Sequence, residues 1–273
     1  MPDSRVVLIT GASSGIGQAI AEHLAKHSFT VFGTSRDPTG HQQPIGWNLI
    51  PLDVCSDKSV TQCVKAVMEK AGRLDVLVNN AGYGLEGALE EATLDQVKSQ
   101  FETNYFGMLR ITKVVLPLMR AQSGGQILNI SAGNASFRLP FLGHYTATKC
   151  AMESYSDILR QEVKPFGIHV SVIQPGFLKT NIGETVQLGE DRIMDYEPWR
   201  MRWLGAYRES LQNAPAPTSV AQCVFRILSR KKPRFLHVVG LKQVLGVSLH
   251  RLLPEGLYYL VMKKFYRIGS RNH

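Results

Sequence analysis

A tyrosine and a lysine four residues apart, Tyr145 and Lys149, can share acid–base chemistry if they lie on a helix, where positions i and i+4 fall on one face. The lysine's positive charge favours the phenolate. A phenol with an ordinary pKa of about 10 then becomes a usable proton donor or acceptor nearer neutrality. The same spacing recurs at Tyr259 and Lys263. Context separates the two pairs. Tyr145 follows a run that reads as a buried strand, whose end would reach the carboxyl edge of a sheet, where ligands of such folds bind. Tyr259 sits in an apolar, basic stretch with no such neighbour, so Tyr145 is the expected general acid/base.

The second feature is a glycine loop, Thr10-Gly11-Ala12-Ser13-Ser14-Gly15-Ile16-Gly17, between an apolar run and a helical one. Glycines allow a tight turn and let the backbone approach a pyrophosphate, whose charge is met by N–H groups at the helix start. Ser13 and Ser14 can add hydroxyl donors. The GxxxGxG spacing differs from the commoner GxGxxG fingerprint, and alone it could be an ordinary strand-to-helix turn. Its place after the first strand favours the nucleotide reading. At the end of the second strand an acid would bind a ribose 2′-hydroxyl, whereas a 2′-phosphate favours arginine. Ser35 stands where the acid would be, and Arg36 follows, with Asp37 beside it able to neutralise it in part. NADP(H) is therefore expected ahead of NAD(H), the alternative being a solvated surface arginine.

The elements that must position these residues are legible as an alternation. Apolar runs at Arg5–Thr10, Thr30–Thr34, Asn48–Leu52, Asp75–Val78, Gln126–Ser131, Ile168–Gln174 and Phe235–Val239 read as strands, several of them apolar enough to be covered on both faces. Helical stretches fall near 15–27, 57–70, 94–121, 144–164 and 218–230, with a start signal at Ser56-Asp57 for the second. The pattern predicts an α/β fold, a doubly wound Rossmann-type parallel sheet of about seven strands with helices on both faces. Residues 181–217 break the rhythm.

The 273 residues, 44% hydrophobic and 19% charged, suit one large globular domain. No apolar run is long enough to span a bilayer, and the N-terminus lacks a signal-peptide pattern. Cys55, Cys63, Cys150 and Cys223 have no metal-ligand spacing, so no metal is expected, and reduced thiols in a cytoplasmic protein are the simplest reading. Ten Lys or Arg and one acid, Glu255, lie between Arg230 and His273, so that segment carries the whole net charge of +9. The basicity belongs to the tail and gives no reason to expect nucleic acid.

Taken in order, the motifs resemble the short-chain dehydrogenase/reductase family over about residues 4–240. Beside TGASSGIG stand Asp53-Val54, Asn79-Asn80-Ala81-Gly82, Asn104, Tyr145-Thr-Ala-Thr-Lys149, and Pro175-Gly176 with Thr180. The resemblance implies that Asp53 and Val54 contact adenine, and that Asn80, Ala81 and Gly82 line the cofactor. It implies that Pro175, Gly176 and Thr180 hold the nicotinamide, that Lys149 bonds the ribose, and that Asn104 holds a water relaying protons from Lys149. The sequences PFLG before the tyrosine and EVKPFGI after it look like the branch acting on steroids, retinoids and other hydrophobic alcohols and ketones. The expected domains are a dehydrogenase unit, 1–240, with a substrate lid near 181–217, and a C-terminal extension, 241–273, packing on it. The family's long helices commonly form the faces of homodimers or homotetramers.

One position departs from the family. The serine expected thirteen residues before the tyrosine is Ala132, with Ser131 one residue earlier and Ser136 further along the loop. On a strand end a one-residue shift turns the side chain to the other face. Either a bulge lets Ser131 serve, or another donor replaces it, or catalysis is weakened, since losing one such donor costs about 100–1000-fold. Met194, Tyr196, Trp199, Met201, Trp203 and Leu204, with Phe141 and Leu142, suit a hydrophobic carbonyl or alcohol, although Trp199 and Trp203 could equally be core contacts of a short helix. In the tail, Tyr258, Val261, Met262 and Phe265 follow helical spacing beside Lys263, Lys264 and Arg267. That helix could lie on an anionic membrane, but packing on its own domain or a partner subunit is preferred. The leading expectation is a dehydrogenase or reductase. Its rival is an NADPH-binding sensor or scaffold with weakened catalysis.

Overall fold

The central apolar runs become strands because they are buried on both faces, Val6–Ile9 and Val76–Asn79 at every position. The computed structural model describes residues 4–178, 186–212, 214–240, 244 and 253–265. The strands are β1 (Val6–Ile9), β2 (Thr30–Ser35), β3 (Asn48–Pro51), β4 (Val76–Asn79), β5 (Leu85–Glu86), β6 (Gly125–Ile130), β7 (Ile168–Pro175), β8 (Gln187–Leu188) and β9 (Leu236–Val239). The helices are α1 (Gly15–Ala25), α2 (Asp57–Ala71), α3 (Leu94–Phe101), α4 (Gly107–Ala121), α5 (Asn134–Phe137), α6 (Gly143–Glu162), α7 (Glu197–Gln212), α8 (Thr218–Leu228) and α9 (Glu255–Phe265). Seven strands form one parallel sheet in the order β3-β2-β1-β4-β6-β7-β9. Strand order reverses between β1 and β4, which opens a crevice at their carboxyl ends.

Alternation along the strands feeds two cores. Val7, Ile9, Val76 and Val78 face α1 and α8, meeting Ile20, Leu24, Val224 and Ile227. Leu8, Leu77 and Ile127 face the other way, onto Val60 and Val64 of α2, Ile111 and Val115 of α4, and Leu159 of α6. The Ser56 hydroxyl caps α2 by accepting from the Ser59 N–H, and Gly72 ends that helix in the left-handed region. The stretch 94–121 is not one helix: a π-helical turn, Glu102–Phe106, separates α3 from α4. Such a turn adds a residue to the winding and re-aims the side chains at its centre, here Asn104.

The break at 181–217 contains a helix the sequence pattern did not show, α7. A third core joins it to the loop after β6 and to the tail: Trp203 and Ala206 pack with Phe137, Leu139, Leu142 and Tyr258 of α9. Trp203 is fully buried and stacks on Tyr207 at 4.8 Å, so it is a core contact, whereas Met194 and Met201 are exposed. Tyr258 faces inward while Val261 is exposed, and the side chains of Met262 and Phe265 lie outside the described residues. No helix among the described residues is long and apolar enough to cross a membrane.

The segment carrying α7 is held by a buried ion pair. Arg200 donates to Glu91, and Glu91 also accepts from the backbone N–H groups of Ala88 and Ile193, each at 2.8 Å. Burial opposes ionisation of this carboxyl, but the Ile193 N–H and the Arg200 guanidinium together hold it below its usual range. The short β5–β8 pair runs alongside. Because truncating one partner leaves the other charge buried, Glu91→Ala should destabilise the protein by about 3 kcal/mol in urea unfolding. A loss below about 1 kcal/mol would mean that the pair does not anchor the segment.

Candidate active site

The glycine loop leaves β1 at the crevice and turns into α1. Ser14, at the N-cap, makes no side-chain capping bond, so the first N–H groups of α1 are left for a ligand. Gly17 is required by contact: a Cβ there would lie 2.2 Å from the Gly11 carbonyl oxygen and 2.7 Å from the Asn80 amide nitrogen. Asn80 clamps the loop, its amide donating to the carbonyls of Thr10 (3.0 Å) and Gly11 (2.8 Å). The Thr10 hydroxyl in return accepts from the N–H groups of Asn80 and Ala81, both at 2.9 Å.

These residues border a cleft of about 650 Å³ along the carboxyl edge, a volume in the range of cofactor sites. Gly11, Ser13, Ser14, Gly15 and Ile16 form one wall, with Asn80, Ala81 and Gly82 beside them. Asp53 and Val54 lie beyond, the Asp53 carboxylate accepting from the Cys55 N–H at 2.9 Å. Ser35 and Arg36 line the far end together with His41, which the sequence reading did not single out. Asp37 is turned into its own loop: its carboxylate accepts from the Thr39 hydroxyl (2.5 Å) and N–H (2.9 Å) and from the Gly40 N–H (3.2 Å). Those bonds hold it below the usual carboxylate range.

Tyr145 and Lys149 stand at the other end, on α6. Lys149 is buried, its ammonium donating to the Ile130 carbonyl at 2.8 Å and lying 5.7 Å from the Tyr145 ring centroid. Burial lowers its pKa to about 8, against the opposing charge of Glu153. Burial pushes the Tyr145 phenol upward, and Tyr207 adds to this. That burial favours the neutral phenol, the direction opposite to the one in which a neighbouring ammonium acts. Asn104 sits behind Gly82, where a Cβ would come 2.9 Å from the Asn104 amide oxygen and 3.8 Å from the Lys149 ammonium. The Asn104 amide brackets Tyr83, accepting from its N–H and donating to its carbonyl, and also reaches Thr148 of α6.

A smaller apolar chamber of about 110 Å³ opens from the cleft at Ile16, Ser131 and Tyr145. Phe137, Leu139, Leu142, Phe177, Val186 and Tyr207 surround it, and Ala132, Asn134, Pro175 and Gly176 complete it. None of Met194, Tyr196, Trp199, Met201, Trp203 and Leu204 borders either cavity. The apolar wall comes instead from the loop after β6, the residues just after β7, Ile16 of α1, and two residues of the 181–217 stretch, Val186 and Tyr207. Thr180 lies outside the described residues. Ser131 borders both cavities, but its hydroxyl donates to Glu153 at 2.5 Å. Ser136 exchanges hydrogen bonds with the Gln174 amide.

A glycine-loop cleft at a topological switch point, joined to a Tyr/Lys pair beside an apolar chamber, is the arrangement of a doubly wound oxidoreductase. The family model described as short chain dehydrogenase matches residues 5–191. The chain is 37% identical to 3-ketodihydrosphingosine reductase of Bacteroides thetaiotaomicron, over 97% of this chain and 98% of that one. It is 33% identical to retinol dehydrogenase 8 of Bos taurus, over 94% and 88%. The crystal structure of a short-chain dehydrogenase from Streptomyces avermitilis superposes with a TM-score of 0.83 at 30% identity, covering 98% of each chain. The protein belongs to the short-chain dehydrogenase/reductase family.

The Lys149 shift has a measurable sign. Its folded pKa, about 8, lies below the ordinary 10.5, so the unfolded chain binds more protons between those values and the wild type gains stability as pH rises through them. In thermal unfolding without cofactor, the midpoint difference between wild type and Lys149→Met should move in the wild type's favour above pH about 8. A difference independent of pH would contradict the buried ammonium.

Proposed function

We propose that the protein is an NADP(H)-dependent reductase or dehydrogenase interconverting a lipophilic ketone or aldehyde and its alcohol. The observation that carries this reading is the junction at Tyr145, where a dinucleotide-sized cleft opens into a chamber walled by apolar side chains. The names of two relatives, 3-ketodihydrosphingosine reductase and retinol dehydrogenase 8, fit a substrate of that polarity. The cleft fits a dinucleotide: free N–H groups at the start of α1 meet the pyrophosphate, Asp53 and Val54 the adenine, and Lys149 the ribose. Pro175 and Gly176 bound the nicotinamide end. The bound dinucleotide supplies the hydride that reduces the carbonyl carbon.

The chain supplies the proton and the placement. A protonated Tyr145 suits the reductive direction, because its hydroxyl hands a proton to the carbonyl oxygen as hydride arrives at the carbon. Lys149 stabilises the phenolate left behind, and Asn104 positions a water that returns a proton to it from solvent. Preference for the 2′-phosphate rests on Arg36 and His41 at the far end of the cleft, with Ser35 where an acid would repel it. Asp37 stays ionised beside them, its carboxylate held by Thr39 and Gly40, and tempers this preference in part. Ala132, with the Ser131 hydroxyl committed elsewhere, favours a second reading, a dinucleotide-binding sensor without turnover.

Turnover separates the two. With NADPH and all-trans-retinal or 3-ketodihydrosphingosine, the wild type should reduce the carbonyl, and Tyr145→Phe should lower kcat by about 100-fold or more while NADPH still binds. Tight NADPH binding with no turnover of any lipophilic carbonyl would establish the sensor. Arg36→Ala should weaken NADPH at least about tenfold and leave NADH nearly unchanged, since a charge-assisted phosphate bond contributes about 1.5–3 kcal/mol. Equal losses for both cofactors would assign the far end to the unphosphorylated ribose.

A further inference from the structure

We propose that Asn134 donates the hydrogen bond to the substrate oxygen that Ala132 cannot provide. This rests on the reductase reading and deepens it. The chamber wall nearest the strand end is built from Ser131, Ala132, Gly133 and Asn134. Among the hydroxyls nearby, neither Ser131 nor Ser136 is free to donate. The Ser131 proton goes to Glu153, and Glu153 also accepts from the Gln174 amide at 2.8 Å, so both donors solvate the carboxylate one helical turn from Lys149. Ser136 is held by the same Gln174.

Asn134 is buried, 5% exposed, and borders the chamber alongside Tyr145. Its amide nitrogen is placed donating to the Thr146 hydroxyl at 3.0 Å, and its amide oxygen has no partner among the described residues; the two ends of an amide are assigned from such bonds and can be exchanged. Thr146 follows Tyr145 directly on α6, so the bond fixes the amide relative to the phenol. A hydroxyl both donates and accepts, which lets the amide pair with Thr146 in either orientation. With its oxygen turned to the Thr146 hydroxyl, Asn134 leaves its NH₂ unpaired in the chamber wall. A polar group buried without a partner in a substrate chamber is satisfied when the substrate arrives. The carbonyl oxygen in line with the Tyr145 hydroxyl is the acceptor that this donor lacks. Neutral amide donors serve this purpose wherever negative charge develops on a carbonyl oxygen.

The test uses the full chain with NADPH and the two carbonyl probes above. Asn134→Ala should lower kcat by about 100-fold, with a smaller change in KM, and NADPH affinity unchanged. Asn134→Asp should do the same, because a carboxylate accepts and cannot donate. Adding Ala132→Ser to Asn134→Ala should recover at least about tenfold in kcat, because a serine there returns a donor to the same wall. A merely structural asparagine would not be rescued in this way. If Tyr145→Phe abolishes turnover but Asn134→Ala stays within threefold of wild type, Asn134 is not the donor and the reductase reading stands. A loss in Asn134→Ala that Ala132→Ser fails to recover also overturns the assignment. No turnover by the wild type overturns the reductase reading, and this one with it.

Discussion

Burying one ammonium group organises the whole site. Lys149 is almost wholly removed from water, and a buried charge must be paired or solvated by the protein. The Ile130 carbonyl at the end of β6 accepts a hydrogen bond from it, so α6 is pressed against the carboxyl edge of the sheet. Glu153, a turn further along α6, supplies the counter-charge and is itself satisfied by Ser131 and Gln174. Tyr145, a turn earlier, is brought to the mouth of the apolar chamber. Asn104, carried by the π turn, closes the other side behind Gly82. Much of the polar geometry near the junction follows from making that burial affordable.

The same constraint accounts for the serine that is present but engaged. Ser131 borders both cavities, but its hydroxyl is committed to a carboxylate that the lysine needs. Its neighbour Ala132 faces the chamber with no polar atom. A donor for the substrate must therefore come from beyond the strand, where the chain has turned into the short helix α5.

The fold was legible because its strands are so uniformly apolar. VVLI, VLVN and the run at Ile168 could only be covered on both faces, and strict alternation with helices left little choice but a parallel sheet. The cofactor loop was legible because glycine and serine types at that spacing have few other uses. What escaped the sequence depends on contacts between distant segments. The π turn at Glu102–Phe106 has no periodic signature, since one extra residue in a long helix changes the apolar pattern very little. Helix α7 is tied down by Arg200 and Glu91, more than a hundred residues apart. Composition left the lid aromatics open between substrate contacts and core contacts, and the fold places Trp203 in a core shared with the tail. His41 lies in a polar loop, and only the fold of that loop brings it to the Arg36 end of the cleft. The placement of Asp37 was likewise open in sequence, because only its turn with Thr39 and Gly40 fixes where its charge sits beside Arg36.

The most direct measurement follows the hydride. NADPH carrying deuterium at the reactive C4 position of the nicotinamide is incubated with the wild-type protein and 3-ketodihydrosphingosine or all-trans-retinal, and the alcohol is analysed by mass spectrometry. Hydride transfer at the Tyr145 junction predicts one deuterium on the former carbonyl carbon for each dinucleotide oxidised. Oxidised dinucleotide without deuterated alcohol, or no oxidation at all, would contradict carbonyl reduction at this site.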